Sequence, residues 1–235
     1  MSDVCVVIPA LDEAESLPLV LGAIPPDAGR VIVVDNGSTD GTAAVAIRHG
    51  AELVQEPRRG YGQACLSGIE AAGDCNIIVF LDADFCDDPG LIPELLKPIL
   101  NNDADLVLGS RCIMDEARIA LTPQQRWGNA LACLLMRIFW RGRFTDLGPF
   151  RAIRRSALKR LEMEDKNFGW TVEMQIRALK CQLQVVEIPV PYRLRKFGQS
   201  KISQTVKGVL QAAMKIFFVI GRELWLQWRP SQKKD

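Results

Sequence analysis

The chain has 235 residues, 48% hydrophobic and 24% charged, which is the ordinary make-up of a globular protein able to bury a full core. A net charge of +1 excludes a bulk electrostatic case for nucleic acid. One histidine, His49, excludes a multi-histidine metal site, and seven scattered cysteines (5, 65, 75, 86, 112, 133, 181) without a CxxC read as reduced thiols rather than as a disulfide framework or zinc site.

Met1-Ser2-Asp3 leads directly into an apolar run, with no basic segment or signal-peptide core, so a cytosolic domain is expected. The first half then alternates strand and helix. Val4 to Ile8 is a strand stopped by Pro9, and Glu13 to Ala23 is helical. Arg30 to Val34 is a strand, followed by a helix over Thr39 to His49 with Ser38 or Thr39 as its cap. Glu52 to Gln55, Asn76 to Leu81 and Ala104 to Leu108 are further strands; Tyr61 to Ala72 and Pro89 to Leu100 are the helices between them. His49 falls at a helix C-terminus, where a structural role suffices. This alternation predicts an α/β fold, a parallel sheet with helices on both faces, whose ligands bind at the C-terminal strand ends. After residue 112 the pattern loosens: a long helix over Thr122 to Trp140, loop and strand from Arg143 to Arg155, a helix over Thr171 to Lys180, and a strand over Gln184 to Ile188. A basic stretch from Pro191 to Ser203 precedes a final apolar helix from Thr205 to about Trp228.

Phe80-Leu81-Asp82-Ala83-Asp84 is the most informative motif. Alternation along a strand points Asp82 and Asp84 the same way, just past the strand's end. Two like charges held that close call for a cation between them, and a hard divalent ion that also grips phosphates suits oxygen ligands. Solvated strand caps are the bland alternative for such a pair. Asp35-Asn36-Gly37-Ser38-Thr39-Asp40-Gly41 ends the second strand, where a carboxylate can accept from a ribose hydroxyl or a base N–H, or simply form a turn. Arg59-Gly60-Tyr61-Gly62 is an incomplete dinucleotide fingerprint after the wrong strand; it reads better as a helix N-terminus near a nucleotide's phosphates or sugar. Asp146 lies in a Gly-Pro loop and Glu173 at a helix start, where a turn and the helix dipole are sufficient bland reasons for them. Arg193-Leu194-Arg195-Lys196-Phe197-Gly198-Gln199-Ser200-Lys201 is either a solvated charge run or a flexible loop that closes on phosphate oxygens.

Taken in order, Ile8-Pro9 with Glu13, the Asp35 to Thr42 segment, Asp82-Ala83-Asp84, Gly109-Ser110-Arg111, Asp146 to Arg151 and Gly198 to Ser203 resemble a family 2 glycosyltransferase of the GT-A fold. More narrowly, they resemble the dolichol-phosphate mannosyltransferase-like branch that glycosylates polyprenyl phosphates. The resemblance implies a GT-A domain over residues 1–203, with a nucleotide-sugar half (1–112) and an acceptor half (113–203), followed by an apolar helix and basic tail (204–235). It implies that Pro9, Leu11, Glu13, Asp35, Asn36, Gly62, Asp82, Ala83, Asp84 and Arg111 bind the nucleotide sugar. Asp82 and Asp84 would hold Mg²⁺ or Mn²⁺. Asp146, Arg151 and Glu173 would sit at the reaction centre, and Arg193, Arg195, Ser200 and Lys201 would close over phosphates. Three departures stand out: Asn36 where many relatives carry a second Asp, which tilts the donor toward a uridine nucleotide; Gly148-Pro149-Phe150 in place of a Gly-Phe arrangement; and no clear C-terminal transmembrane helices.

The implied reaction is an inverting displacement on a UDP- or GDP-linked hexose. A phosphate acceptor hardly needs a general base, whereas a hydroxyl acceptor needs a carboxylate, with Asp146 the leading candidate. The rivals are a soluble hydroxylated acceptor, a nucleotidyltransferase, and a non-catalytic nucleotide-sugar-binding or membrane-scaffold protein. The apolar stretch after Lys215 ends at Arg222, too short to span a bilayer. Trp225 and Trp228 beside Arg229, Lys233 and Lys234 suit an interfacial anchor on the cytoplasmic face of a membrane, the alternative being a helix packed on the core or in a homodimer.

Overall fold

The structure, a computed structural model, describes residues 3–198 and 206–228. Next to the middle of its sheet is β1 (Val4–Ala10), buried at every position because it has a strand on each side and helices above and below. Parallel to β1 lie β2 (Arg30–Asp35) and β4 (Ile77–Phe80), and β3 (Glu52–Gln55) pairs beyond β2. On the other side β6 (Arg151–Arg154) runs antiparallel between β4 and β5 (Leu106–Ser110), and β7 (Val185–Pro189) closes the edge parallel to β5. The seven-stranded order β3-β2-β1-β4-β6-β5-β7 is thus mostly parallel, as the α/β reading expects, with one reversed strand.

The period of two along each strand sorts the core into two layers. Val4, Val6 and Ile8 of β1 and Ile77 and Val79 of β4 face α1 (Leu17–Ala23), α2 (Thr42–Arg48) and α4 (Ile92–Leu100) through Leu17, Val20, Val45, Leu95 and Ile99. Cys5 and Val7, with Ile78 and Phe80, face α3 (Tyr61–Ala71), α7 (Arg155–Leu161) and α8 (Trp170–Lys180). Phe80 meets Trp170 edge to face at 5.9 Å between ring centroids. A third cluster joins α8 to α6 (Pro123–Trp140) and α9 (Val206–Trp228) through Met136, Val172, Ile176, Val219 and Ile220. One face of α9 is therefore packed on the domain. The short helix α5 (Asp115–Ile119) and α7 have no counterpart in the sequence reading.

Several expected boundaries move for local reasons. The first helix begins at Leu17 rather than Glu13, because Pro18 suits only the first helical positions and Asp12 adopts φ +50° in a tight turn. Ser38 and Thr39 do not cap α2. They stitch that turn instead: Ser38 Oγ accepts from the Asp12 N–H at 2.9 Å, and the Thr39 N–H donates to Asp12 Oδ1 at 2.7 Å. Gly41 occupies the cap position of α2, and the Asp40 carboxylate accepts from the Thr42 N–H at 2.9 Å. The all-reduced cysteine reading is corrected at one pair: Cys5 on β1 is bonded to Cys75, just ahead of β4, with Cα atoms 6.1 Å apart. The parallel β1–β4 pairing is what brings those two together.

Candidate active site

A cavity of about 550 Å³ opens where β1, β2, β4 and β5 end. Its walls carry Glu13, Asp82 and Asp84 together with Arg59, Arg111 and Arg195, so acidic and basic charge balance within one cleft. The cleft also takes Pro9, Leu11, Asn36 and Ala83, and these, with the carboxylates, Arg111 and Arg195, are the sequence-nominated residues that the fold brings together.

Asp82 follows β4 and is held by the Tyr61 hydroxyl, which donates to Oδ1 at 3.0 Å. Burial, and then the nearby Asp84 charge, push the Asp82 carboxyl up to about 7. Burial and Asp82 also drive the Tyr61 phenol well above its ordinary value, so it remains a donor. Asp84 accepts from Arg195 at 3.1 Å, and the same guanidinium reaches Glu13 at 2.7 Å. A side-chain cation thus already bridges two of the carboxylates. The strain on Asp82 and this attraction for cations both fit a hard divalent ion. Two carboxylates leave most of its shell to waters and ligand phosphates, the habit of Mg²⁺ and Mn²⁺. Among the described residues no cluster of three or more His, Cys, Asp or Glu could encage a metal by itself.

Arg111, after β5, lies 4.9 Å from the centroid of the Tyr192 ring and is gripped by Asp146 through Nε–Oδ2 at 2.7 Å and Nη2–Oδ1 at 2.9 Å. Burial alone would raise the Asp146 carboxyl, but the Arg111 charge and hydrogen bonds hold it below its usual range. Asp146 is 1% exposed and faces Arg111, not the cleft. Its loop is fastened from three elements. Asn129 of α6 bonds Thr145 O and the Leu147 N–H, Gln175 of α8 donates to Asp146 O, and Glu187 of β7 accepts from the Thr145 N–H. Gly148 is required here, since a Cβ would lie 2.6 Å from the Gly109 carbonyl.

Asp35, Gly62, Arg151, Glu173 and Arg193 do not line the cleft. Arg151 is buried beneath it, donating to the carbonyls of Gly148, Leu147 and Thr171. Glu173 is wholly buried among Arg177, Arg222 and the N–H groups of Glu164 and Asp165. Asp35 accepts from the Ser38 N–H through Oδ1 at 2.9 Å. Gly62 is a packing residue: a Cβ would lie 2.0 Å from the Asp165 carbonyl, and its own N–H bonds Asn167 O. The N–H groups of Gly62 and Gln63 are consumed by the 166–167 carbonyls, so the start of α3 is no phosphate cradle. Arg193 pairs with Asp88 at 2.6 Å and covers the Phe85 ring. Asn36 lines the cleft, but its amide already binds Glu56 O, Arg58 O and the Gly60 N–H. Ser200 and Lys201 lie outside the described residues.

Sequence reading missed Tyr61 and Tyr192, the chain's only tyrosines, both in the cleft, and the α6 residues Gln124, Gln125, Gly128 and Asn129 that wall its far end. The confinement of both tyrosines to segments beside nominated motifs was the available signal. Nothing in the spacing of α6 marked its first turns.

The family model described as Glycosyl transferase family 2 matches residues 5–162. A Mycobacterium tuberculosis protein described as an uncharacterized glycosyltransferase is 42% identical over 218 residues, covering 92% of this chain and 97% of its own length. The undecaprenyl-phosphate mannosyltransferase of Micrococcus luteus is 31% identical over 223 residues, covering 87% and 89% respectively. Among solved structures, glucosyl-3-phosphoglycerate synthase from Mycobacterium tuberculosis, in complex with Mn²⁺, UDP and glucosyl-3-phosphoglycerate, superposes with a TM-score of 0.73 at 24% identity, over 93% of this chain and 80% of that one. That likeness establishes the GT-A architecture.

Proposed function

This chain belongs to glycosyltransferase family 2, and from that premise we propose that it transfers a hexose from a nucleotide sugar to a polyprenyl phosphate with inversion. The observation that carries the reading is the state of the cleft's carboxylates. Glu13 and Asp84 are committed to Arg195, Asp82 pairs with Asp84 in the character of a cation site, and Asp146 is locked to Arg111 below its usual pKa range. With Asp82 and Asp84 given to the cation and Glu13 to Arg195, no carboxylate among the described residues lining the cleft is left to take a proton from a hydroxyl. An acceptor that arrives already anionic removes the need for one. A phosphate monoester does so, and Arg59 and Arg111 offer it guanidinium partners.

Asp82 and Asp84 would hold the Mg²⁺ or Mn²⁺ ion, which when bound neutralises the diphosphate and so eases its departure. The rest falls to the chain's own groups. The bond from the sugar's anomeric carbon to the diphosphate breaks with its electron pair on the diphosphate, and an acceptor phosphate oxygen forms the new bond from the opposite face. Arg195, drawn off Glu13 and Asp84 by the greater charge of a diphosphate, stabilises the leaving group. Arg111, fixed by Asp146, orients the acceptor. Tyr61 holds Asp82 in place. A second reading, a soluble phosphate-bearing acceptor, is favoured by the likeness to the phosphoglycerate enzyme.

The test supplies purified protein and Mn²⁺ or Mg²⁺ with UDP- and GDP-sugars, each with a short polyprenyl phosphate, with phosphoglycerate, or with neither. Nucleoside diphosphate release that rises with the polyprenyl phosphate is expected. Release that rises only with phosphoglycerate would replace this acceptor by the soluble one. In the same assay Asp146→Asn is expected to lower transfer about tenfold to a hundredfold by loosening Arg111, leaving the pH profile's shape intact. Loss of the acidic limb of that profile would instead make Asp146 a general base.

A further inference from the structure

The helix that walls the far end of the cleft turns an apolar stripe outward. On α6, Trp127, Leu131, Leu134 and Ile138 are 78%, 43%, 50% and 61% exposed. Their spacing of four, three and four residues sets them on one face. That face is opposite Asn129, Ala132, Cys133 and Met136, which are buried against the domain. The neighbouring helix α9 repeats the arrangement. Val219, Ile220 and Glu223 face inward, while Met214, Phe217 and Phe218 are 54%, 47% and 60% exposed. Two adjacent helices packed on α8 thus each present large apolar side chains away from their shared core. Scattered exposed leucines need no explanation, but stripes of Trp, Leu, Ile and Phe on paired helices mark an interaction surface.

The charge around the stripe selects its partner. Between Glu116 and Asp146 the sequence has arginines at 118, 126, 137, 141 and 143 and no aspartate or glutamate. Arg126, Arg137, Arg141 and Arg143 are exposed, beside the apolar stripe. An apolar face flanked along α6 by exposed arginines is complementary to an anionic bilayer surface. A second copy of the same face would set arginine against arginine. Among the described residues no helix is long and apolar enough to cross a membrane.

We propose that the outward faces of α6 and α9 together form a docking surface for anionic membranes. The position of the surface deepens, and in that respect rests on, the polyprenyl-phosphate reading. The first turns of α6 and Ile216 of α9 line the cleft, so a bilayer seated on these helices lies against its far end. A polyprenyl chain could remain among lipid tails while its phosphate reaches Arg111.

The experiment is flotation of the full chain with phosphatidylcholine vesicles containing phosphatidylglycerol and no polyprenyl phosphate, which separates docking from acceptor choice. The wild-type chain is expected to float, less at about 0.5 M salt than at about 0.1 M. The triple variant L131Q/L134Q/I138Q and, separately, F217Q/F218Q are each expected to weaken binding at least about tenfold. Unchanged circular dichroism and nucleotide binding would show that the fold is intact. Wild-type Trp127 fluorescence should shift to the blue on vesicle addition, judged against W127F. Flotation retained by both variants would overturn the proposal. So would failure of the wild type to float. Sedimentation showing a dimer that L131Q/L134Q/I138Q dissociates, without flotation, would give the surface to a second copy. Docking without acceptor-stimulated turnover would leave this surface standing and remove the polyprenyl-phosphate reading alone.

Discussion

Asp82→Ala and Asp84→Ala are each expected to reduce glycosyl transfer on the order of a thousandfold, about 4 kcal/mol of transition-state stabilisation. Both carboxylates end at the one place in the cleft where negative charge is crowded and a cation is already drawn in, through Arg195. The two variants should differ in a way that activity alone does not reveal. Removing Asp84 releases Arg195 from one partner and relieves the repulsion on Asp82, so Asp82 titrates lower. Removing Asp82 leaves the Tyr61 hydroxyl without its acceptor and leaves Asp84 tied to Arg195. The pH dependence follows with a definite sign. A carboxyl pushed up to about 7 holds its proton at pH 6, and a divalent ion must displace it. Apparent Mn²⁺ affinity is therefore expected to fall as pH drops below about 7, approaching tenfold per unit, and to level off above it. Paramagnetic titration of Mn²⁺ at pH 6 and pH 8 measures this without turnover, and Asp84→Asn should move the midpoint downward. Full transfer by either alanine variant in the presence of a chelator would sink the assignment.

The acidic end of the cleft was legible because strand-end motifs are local. Asp82, Asp84, Glu13 and Pro9 lie within a few residues of strands whose apolar runs leave little choice of register or direction, so their convergence follows from the parallel sheet. Other placements were not legible for one reason: side-chain direction depends on neighbours remote in sequence. Gly62 looks like a phosphate turn until the 165–167 backbone is known to press against it. Asp146 looks like a base until Arg111, 35 residues away, is seen to clasp it. Arg151 and Arg193 carry charges that suit phosphate, yet one is consumed by carbonyls under the cleft and the other by Asp88. The outward stripe of α6 was hidden for a related reason. An apolar helix rich in Leu and Ile reads as core until both its faces are assigned, and only packing against α8 and α9 shows which face is left over.

Glu173 carries the largest expected effect on stability and none on chemistry. Its carboxylate is fully buried, with Oε2 accepting from the N–H groups of Glu164 at 3.1 Å and Asp165 at 2.8 Å, and Oε1 meeting Arg177 at 3.1 Å and Arg222 of α9. Arg177 and Lys180 also hold Glu223 of α9, at 3.1 and 2.7 Å. Together with the apolar contacts of Val172, Ile176, Val219 and Ile220, the ionic cluster clamps α9 and the 164–165 loop onto α8. Glu173→Ala strips one carboxylate from among buried cations and orphans two N–H groups, which is expected to cost about 3–5 kcal/mol. In a chain of 235 residues that corresponds to roughly 6–20 °C in melting temperature. Because the cluster is separate from the cleft, the folded fraction of Glu173→Ala should bind donor normally at low temperature, and Arg222→Met should reproduce part of the destabilisation. Glu173→Gln separates charge from shape: it fills the same space but cannot neutralise Arg177 and Arg222, so it should recover only a minor part of the loss. A Glu173→Ala protein that melts like the wild type yet fails to turn over would contradict this and return the residue to the chemistry. The α9 clamp also links stability to the proposed docking surface, since Arg222 and Glu223, with Val219 and Ile220, hold down the inner face of the helix that presents Phe217 and Phe218 outward. Destabilising variants of the clamp should therefore lose vesicle binding at temperatures below their global melt, a loss that the surface variants show without any change in melting at all.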